Sequence, residues 1–235
     1  MAILCTIAMR GGSRGVPKKN ARMIMGKPLM AYTIEQAFGS ELFDHIVVST
    51  DSKEFSDIAK SYGAESWFLR PPELATHEAG KVAVIRHALV ESEKNYGVQF
   101  DAIVDLDVTS PLRDIDDIKA AYQQFLNEDS DVLITGCNAR RNPYFNMVES
   151  SEGNVRLVKN HEPPLVRRQD APQVYDMNAS IYVWKREILL REKTLFRNNT
   201  SLYVMPEERS IDIDTEIDFE IVEFLLKKKV GMGNA

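Results

Sequence analysis

Six basic side chains and no acidic one lie within the first 34 residues, although the whole chain has a net charge of −6. Four of the six belong to one segment that follows a short apolar run, Arg10-Gly-Gly-Ser-Arg-Gly-Val-Pro-Lys-Lys-Asn20. Glycines let backbone N–H groups approach phosphate oxygens, and arginine and lysine add charge-assisted hydrogen bonds. This basic loop therefore predicts a site for a small anion. Its spacing matches neither GxxxxGK[ST] nor GxGxxG, and a solvated loop with incidental lysines is the alternative.

Two pairs of aspartates share a spacing of two residues. Asp212 and Asp214 lie on a predicted late strand, and Asp105 and Asp107 lie at the end of an earlier one. Side chains two apart on a strand point the same way, and a carboxylate pair suits Mg²⁺, which shares oxygens of a bound phosphate. Alternatively, Asp214 caps the last helix, with Asp218 in its first turn. The earlier pair could accept from a hydroxyl or amide, bind a second metal, or form an ordinary turn.

Strands and helices alternate along most of the chain, which predicts a Rossmann-like, mostly parallel sheet in a three-layer α/β/α arrangement. The basic loop then follows the first strand, at the carboxyl edge where such sheets bind ligands. In the last helix, Ile217, Ile221, Phe224 and Leu225 are predicted to face inward. Apolar runs predict strands at 2–8, 45–49, 64–69, 100–106, 131–135, 179–184, 201–205 and 211–213, and periodicity predicts helices at 29–38, 53–62, 80–96, 114–125 and 216–229.

The alternation breaks at residues 139–172, which are polar and rich in Asn, Arg and Pro. Two short strand-like stretches there, 145–149 and 154–159, flank Glu152-Gly153 and predict a hairpin that leaves the sheet. No repeat or linker divides the chain, so we expect residues 1–235 to form one domain with this excursion.

Composition excludes several classes of protein. The chain has 235 residues, of which 44% are hydrophobic and 27% charged, a balance that excludes a disordered chain, a coiled coil and a collagen. No apolar run is long enough to span a bilayer and no secretory signal is visible, so we expect no membrane partner. The acidic charge argues against a nucleic-acid partner. With only two cysteines, we expect a cytoplasmic protein.

Seven blocks of the sequence, in order, resemble the cytidylyltransferases that activate acidic sugars, the CMP-sialic acid synthetase family. The first block lies in the basic loop and the last contains the late aspartates. The blocks are Arg10-x-x-Ser13-x-Gly15-x-Pro17-x-Lys19-Asn20, Val48-Ser-Thr-Asp51, Leu69-Arg-Pro-Pro-Glu-Leu-Ala75, Thr109-Ser-Pro-Leu-Arg113, Arg168-Gln-x-x-Pro172, Asn178-x-x-Ile-Tyr182 and Ser210-Ile-Asp-Ile-Asp214.

The resemblance implies a sheet of the nucleotide-diphosphate-sugar transferase type and a reaction of CTP with a nine-carbon 2-keto sugar acid. The anomeric hydroxyl of the sugar would attack the α-phosphate in line, giving the CMP-sugar and pyrophosphate. Such chemistry depends mainly on neutralising phosphate charge. The resemblance further implies Mg²⁺ on Asp212 and Asp214, and a homodimer in which the hairpin of residues 139–172 is exchanged and completes the partner's site.

Individual roles also follow from the resemblance. Lys19, Arg10 and Asp214 would be catalytic. The nucleotide would be bound by Arg10, Gly12, Ser13, Arg14, Lys19, Asn20, Arg70, Gly80 and Lys81. The sugar would be bound by Asp107, Thr109, Ser110, Arg168, Gln169, Asn178 and Tyr182. Relatives place a small polar residue at the position of Lys81, and many place Gln at that of Asp107.

The blocks Tyr175-Asp-Met-Asn-Ala-Ser-Ile-Tyr182 and Asn142-Pro-Tyr-Phe-Asn146 resemble enzymes for legionaminic acid. We therefore expect legionaminic acid first, sialic acid second and pseudaminic acid third, because pocket residues set such choices. A cytidylyltransferase for the eight-carbon acid Kdo, a glycosyltransferase on the same sheet and a non-catalytic sugar-nucleotide-binding protein are the alternatives.

Overall fold

The computed structural model describes residues 1–12 and 15–232, with side chains up to residue 229. Ser13 and Arg14, predicted nucleotide ligands, lie outside the described residues. The strands are β1 (Ile3–Ala8), β2 (Met23–Ile24), β3 (Lys27–Pro28), β4 (His45–Ser49), β5 (Ala102–Leu106), β6 (Val132–Asn138), β7 (Val148–Ser151), β8 (Asn154–Leu157), β9 (Tyr175–Met177), β10 (Ile181–Lys185) and β11 (Thr200–Val204). The α-helices are α1 (Leu29–Ser40), α2 (Lys53–Ser61), α3 (Lys81–Tyr96), α4 (Ile115–Asn127), α5 (Arg186–Arg191) and α6 (Glu216–Met232).

A mostly parallel sheet forms the centre of the molecule, in the order β11-β6-β10-β5-β1-β4. Strands β4 and β5 are parallel to β1, and β11 is parallel to β6. Strand β10 runs antiparallel between β5 and β6, and β9 also pairs antiparallel with β6. The predicted fold class is confirmed.

Two apolar clusters cover the two faces of the sheet, because alternate side chains of each strand point to opposite sides. Cys5 and Ile7 of β1 pack in the cluster that contains side chains of α1, α2, α4 and α6. Leu4, which directly precedes Cys5, packs with the side chains of α3 and α5. The three-layer arrangement follows from this alternation.

Two predicted strands are wrong. Residues 64–69 make a single bridge to β4, between Glu65 and Val47. Beyond this bridge the segment leaves the edge of the sheet. There the Trp67 ring packs edge-on against Tyr96, with 5.1 Å between the ring centroids. Residues 211–213 form no strand either. Within the described residues this segment is held by the Ile213 N–H, which donates to the Thr109 carbonyl at 3.0 Å, rather than by a strand ladder.

The predicted inward face of α6 is also wrong, except for the partly buried Leu225. Phe219, Val222 and Leu226 are buried, while Ile217 and Phe224 are 68% and 65% exposed and Ile221 is exposed as well. The guanidinium of Arg22 lies 4.0 Å from the centre of the Phe219 ring and also pairs with Glu216. Three-to-four spacing alone does not specify which side of α6 faces the core. In the structure, the side that carries Phe219 faces it, and Arg22 contacts that side.

Residues 139–172 leave the sheet, as predicted, and include the antiparallel hairpin β7–β8. We call this segment the arm. The Asn142 amide donates to the Pro172 carbonyl at 3.0 Å and so ties the two ends of the arm together. Val148 and Val155 are more than 60% exposed on the hairpin. No helix in the described part of the chain is long and apolar enough to cross a membrane.

Candidate active site

A two-lobed cleft lies at the carboxyl ends of β1 and β5. Arg10, just after β1, and Asp107, just after β5, line both lobes. The loop lobe, of about 250 Å³, is also lined by Gly15, Lys19, Asn20, Thr109 and Asp214. The helix lobe, of about 360 Å³, is also lined by Arg70, Leu74, Thr76, His77, Lys81 and Val84. The fold thus brings the basic loop and the two predicted aspartate regions to one site.

The basic loop packs directly against the late acidic segment. Lys19 Nζ lies 3.3 Å from Asp214 Oδ1 and also donates to the Ile213 carbonyl. A Cβ atom on Gly15 would lie 1.9 Å from the carbonyl oxygen of Asp214, so only glycine permits this approach. Gly12 is exposed. This packing places a lysine and a carboxylate at one wall of the loop lobe.

The start of the loop is joined to the helix lobe through Arg10. Its Nη1 donates to the Thr76 carbonyl at 3.3 Å. The buried Asn20 amide donates to the Arg10 carbonyl at 3.2 Å. Arg10 therefore bridges the two lobes with its own side chain, while Asn20 fixes its backbone.

Arg70 is buried beneath the helix lobe and holds the ends of two strands together. Its Nε donates to Ser49 Oγ at 3.2 Å, and its Nη2 donates to the carbonyls of Met9, at 3.1 Å, and Ser49. Burial lowers the pKa of the guanidinium, against the raising effect of Asp51. Much of its hydrogen-bonding capacity is therefore used to build the cleft.

Lys81 begins α3, directly after Gly80, which is the N-cap of that helix. Its Nζ lies 2.6 Å from Asp107 Oδ2 and 3.1 Å from Asp105 Oδ2, and 4.8 Å from the centre of the Tyr182 ring. Burial alone would lower the pKa of Lys81, but the two carboxylates outweigh it and raise that pKa.

The two aspartates beside Lys81 have opposite pKa shifts. Asp105 is fully buried and accepts a hydrogen bond from Thr6 Oγ1 at 2.7 Å; burial raises its pKa. Burial also opposes ionisation of Asp107. However, the Lys81 ammonium, together with hydrogen bonds from Lys81 and Thr109, lowers the pKa of Asp107 to about 2.

A turn after β5 carries the predicted sugar ligands Thr109 and Ser110. Asp107 Oδ1 accepts from the Thr109 backbone N–H at 3.0 Å and from Thr109 Oγ1 at 2.8 Å. Ser110 is fully buried, and its Oγ has no hydrogen-bond partner among the described residues. The turn is thus fixed by Asp107 and leaves one buried hydroxyl with unused capacity.

Sequence reasoning missed the role of Arg113, which is buried beneath this turn. Its Nη1 donates to the Ser180 carbonyl at 2.6 Å, and its Nη2 donates to the Asp107 carbonyl at 3.3 Å. Burial lowers its pKa to about 10, despite the nearby charge of Asp107. The only signal was its place at the end of the block Thr109–Arg113.

The late acidic segment meets one requirement of a Mg²⁺ site. Asp212 Oδ1 is buried with no hydrogen-bond partner among the described residues, whereas the Asp214 side chain is 77% exposed. Burial, with added repulsion from Asp107 and Asp214, raises the pKa of Asp212. No cluster of three or more His, Cys, Asp or Glu suited to a metal occurs in residues 1–12 and 15–232. Two carboxylates still fit Mg²⁺, which takes its other ligands from water and substrate phosphates.

The alternative in which Asp214 caps α6 is wrong. Thr215 takes that role, because its Oγ1 accepts from the Asp218 N–H at 3.3 Å. Asp218 lies in the first turn, as predicted, and its Oδ2 accepts from the backbone N–H groups of Asp214, at 3.1 Å, and Thr215, at 2.7 Å. These hydrogen bonds outweigh the effect of burial and lower the pKa of Asp218. The Asp214 side chain instead pairs with Lys19 and lines the loop lobe of the cleft.

The remaining predicted sugar ligands do not all meet at the cleft. Tyr182 is buried beside Lys81. The buried Asn178 accepts from Thr135 Oγ1 at 2.7 Å and donates to Ser210 Oγ at 3.0 Å, so its amide joins β6 to the segment before the late aspartates. Arg168 and Gln169 line a different cavity, of about 470 Å³, within the arm.

The family model described as cytidylyltransferase matches residues 4–230. The chain belongs to the cytidylyltransferase family. It is therefore a nucleotidyltransferase, and the resemblance found in its motifs is confirmed.

Individual relatives of this cytidylyltransferase agree over nearly its whole length. A CMP-N,N'-diacetyllegionaminic acid synthase of Campylobacter jejuni is 50% identical over 97% of this chain and 96% of that protein. An N-acylneuraminate cytidylyltransferase of Streptococcus agalactiae is 35% identical over 93% of this chain but 52% of that protein. A solved CMP:2-keto-3-deoxy-manno-octonic acid synthetase, complexed with CTP, has a TM-score of 0.69 at 18% identity and covers 97% of this chain and 100% of its own. The last similarity supports the fold.

Proposed function

We propose that this cytidylyltransferase joins CTP to a nine-carbon 2-keto sugar acid, with legionaminic acid as the preferred substrate. The observation that carries the proposal is the contact of the basic loop with the late acidic segment across the loop lobe. Preference for legionaminic acid rests on the legionaminate-type blocks of the sequence and on the full-length similarity to the Campylobacter jejuni enzyme. Two buried free cysteines agree with the proposed cytoplasmic location.

Lys19 and Arg10 are the residues that we propose to neutralise the triphosphate, with Lys19 at the α-phosphate. The anomeric hydroxyl attacks the α-phosphorus in line, the bond to the pyrophosphate oxygen breaks, and the hydroxyl proton is released. Negative charge builds up on the phosphate oxygens during this step, so fixed cations lower the barrier. The Lys19 side chain is only 13% exposed, which strengthens its effect.

Asp212 and Asp214 would hold a Mg²⁺ ion, which when bound would neutralise phosphate oxygens and polarise them. The buried, unpartnered Oδ1 of Asp212 supports this assignment. Lys19 now pairs with Asp214. When nucleotide and metal bind, we propose that Lys19 exchanges this carboxylate for a phosphate oxygen.

The helix lobe is the proposed place of the cytidine. Arg70 lines this lobe, together with Ala79 and Lys81 on either side of Gly80, the N-cap of α3. Asn20 lines the loop lobe and fixes the backbone of Arg10, which lines both lobes. The first N–H groups of a helix lack partners within the helix, so they can donate to an acceptor on the base. Thr109 and Asp107, which line the cleft, would then face the sugar acid, whereas Ser110, the third predicted ligand of this turn, is fully buried and lines neither lobe.

We propose a homodimer in which the arm is exchanged between two copies. In one chain Arg168 and Gln169 line the arm cavity and not the cleft, so a sugar carboxylate at the cleft would need them from a partner. The exposed valines of the hairpin give the arm apolar surface for such a contact. A planar guanidinium fork suits a carboxylate.

Other substrates remain as second candidates. The full-length identity of 32% to a pseudaminic acid cytidylyltransferase and the identity of 35% to the sialate-type enzyme favour them over the eight-carbon acid Kdo. Loss of the basic loop or of the late aspartates would favour a non-catalytic sugar-nucleotide-binding protein, and the chain has kept both.

A substrate panel tests the proposal. Purified protein is incubated with CTP, Mg²⁺ and, in separate reactions, legionaminic, sialic, pseudaminic or Kdo acid, and pyrophosphate release is measured. We expect release with nine-carbon acids and the highest kcat/KM with legionaminic acid. Absence of release with every 2-keto sugar acid would refute the proposed activity, and a higher kcat/KM with another acid would refute the preference.

A further inference from the structure

We infer that Lys81 is a positioning residue, which neutralises and orients Asp107, and not a direct ligand of the nucleotide. The inference rests on the proposed function, because it concerns the cleft that we propose binds CTP. It also differs from the role that the sequence resemblance implies for Lys81.

The ammonium group of Lys81 is already committed. Two carboxylate oxygens, of Asp107 at 2.6 Å and of Asp105 at 3.1 Å, lie beside it, and the Tyr182 ring lies below it. The ammonium donates a hydrogen bond to Asp107 and contacts Asp105 as an ion pair, so two carboxylates already balance its positive charge. Moreover, Asp105 is fully buried, and a buried carboxylate that loses its counter-charge is costly.

A chain of contacts leads from Lys81 to the opposite lobe. Lys81 holds one oxygen of Asp107, and the other oxygen accepts both the N–H and the hydroxyl of Thr109. The Thr109 carbonyl in turn accepts from the Ile213 N–H, and the Ile213 carbonyl accepts from Lys19. Displacement of Asp107 would therefore disturb the turn that supports the acidic segment and Lys19.

Charge balance gives this arrangement a measurable property. Lys81 and the buried Arg113 carry two positive charges, and Asp105 and Asp107 carry two negative charges, so the four groups together are neutral when ionised. Loss of Lys81 leaves one excess negative charge facing a polyanionic substrate. Replacement of Asp107 by Asn in the same chain restores neutrality.

Lys185 provides a matched control at the other end of the sheet. Like Lys81 it lies beside two carboxylates, of Asp129 at 2.7 Å and Asp131 at 3.7 Å. Its side chain is 25% exposed, against 29% for Lys81. Lys185 is the last residue of β10, whereas Tyr182, which lies beside Lys81, is near the start of that strand. Replacement of Lys185 therefore removes a similar ion pair at a position away from the cleft.

Calorimetric titration of CTP with Mg²⁺ into four proteins tests the inference: the wild type, Lys81→Met, Lys81→Met/Asp107→Asn and Lys185→Met. We expect Lys81→Met to weaken CTP binding by about tenfold or more, and the double variant to bind within about threefold of the wild type. Lys185→Met should bind as the wild type does.

A double variant that binds CTP as weakly as Lys81→Met would overturn the inference, because a direct ligand is not replaced by removal of a neighbouring carboxylate. Unchanged binding by Lys81→Met would also overturn it. If Lys81→Met does not fold, the double variant alone decides. A folded double variant that binds CTP supports the inference, and a folded double variant that does not bind CTP overturns it. A wild type that binds CTP while the double variant fails refutes only the role of Lys81, whereas a wild type without CTP binding refutes the proposed function itself.

Discussion

The cleft and the arm both carry residues assigned to the substrates, yet the two regions are built differently. In the cleft, partners from separate segments of the chain hold Asp107 and Thr109: Lys81 donates to Asp107, and Ile213 donates to the Thr109 carbonyl. In the arm, the Arg167 guanidinium pairs with Asp170, three residues away, and both side chains are exposed. The exposed Arg168 donates to the carbonyls of Ala139 and Arg140, at 3.3 and 3.1 Å. Ion pairs between exposed side chains stabilise little. The ion pairs of the cleft are therefore largely buried, whereas the charges of the arm are exposed to solvent.

The strongest test of this contrast removes a fixed cation from the cleft. Lys19→Ala should lower kcat by about 10²–10³-fold, a loss of about 2.7–4 kcal/mol of transition-state stabilisation, which is the cost of removing one preorganised donor. Steady-state kinetics with the preferred acid measure it. The neighbouring Lys18→Ala, which loses only an exposed pair with Glu54, serves as control and should stay within about twofold. Near-normal turnover of Lys19→Ala would show that its role is misassigned.

A second test concerns the metal side of the cleft. Asp214→Ala should raise the Mg²⁺ concentration for half-maximal rate by about a hundredfold, or abolish the metal dependence, because one of two carboxylates is lost. Titration of the rate with Mg²⁺ measures it, with Asp57→Ala, an exposed partner of Lys53, as control. An unchanged titration would reject Asp214 as a metal ligand.

Acid unfolding compares the charges of the two regions. The pKa of Asp107 is lowered from 3.8 to about 2. Its ionised form therefore stabilises the fold by about 2 kcal/mol above pH 4, and this contribution is lost as pH falls toward 2. Asp107→Asn should thus reduce the fall in the free energy of unfolding between pH 5 and 2, measured by urea titration. Asp170→Asn in the arm should leave it unchanged, and equal effects of both variants would contradict the contrast.

The smallest effect is expected in the arm. Arg168→Ala should raise KM for the sugar acid about tenfold, through loss of a charge-assisted hydrogen bond, with KM for CTP unchanged. Arg167→Ala is the control.

Mixing of variants decides whether the arm acts on the partner. After Lys19→Ala and Arg168→Ala subunits are exchanged, one site of each heterodimer would combine an intact cleft with an intact arm. At a sugar-acid concentration well below KM, activity should therefore recover above that of either variant. No recovery would contradict an exchanged arm.

Much of the sheet was predictable because buried strands have apolar runs and the helices have three-to-four periodicity. The basic loop and the aspartates were recognisable as chemistry-bearing residues from type and spacing. The rotation of α6 was not, because the contact of Arg22 with Phe219 joins residues that are distant in sequence. The same limit applied to Arg113, whose partners come from three separate segments.

The most direct test of the cleft as the nucleotide site is a crystal structure of the protein with CTP and Mg²⁺. We predict that the triphosphate lies in the loop lobe within hydrogen-bond distance of Lys19 and Arg10, with the metal ion between the phosphates and the Asp212 and Asp214 carboxylates. A nucleotide bound in the arm cavity, or one in the cleft with its phosphates away from Lys19, would contradict this account.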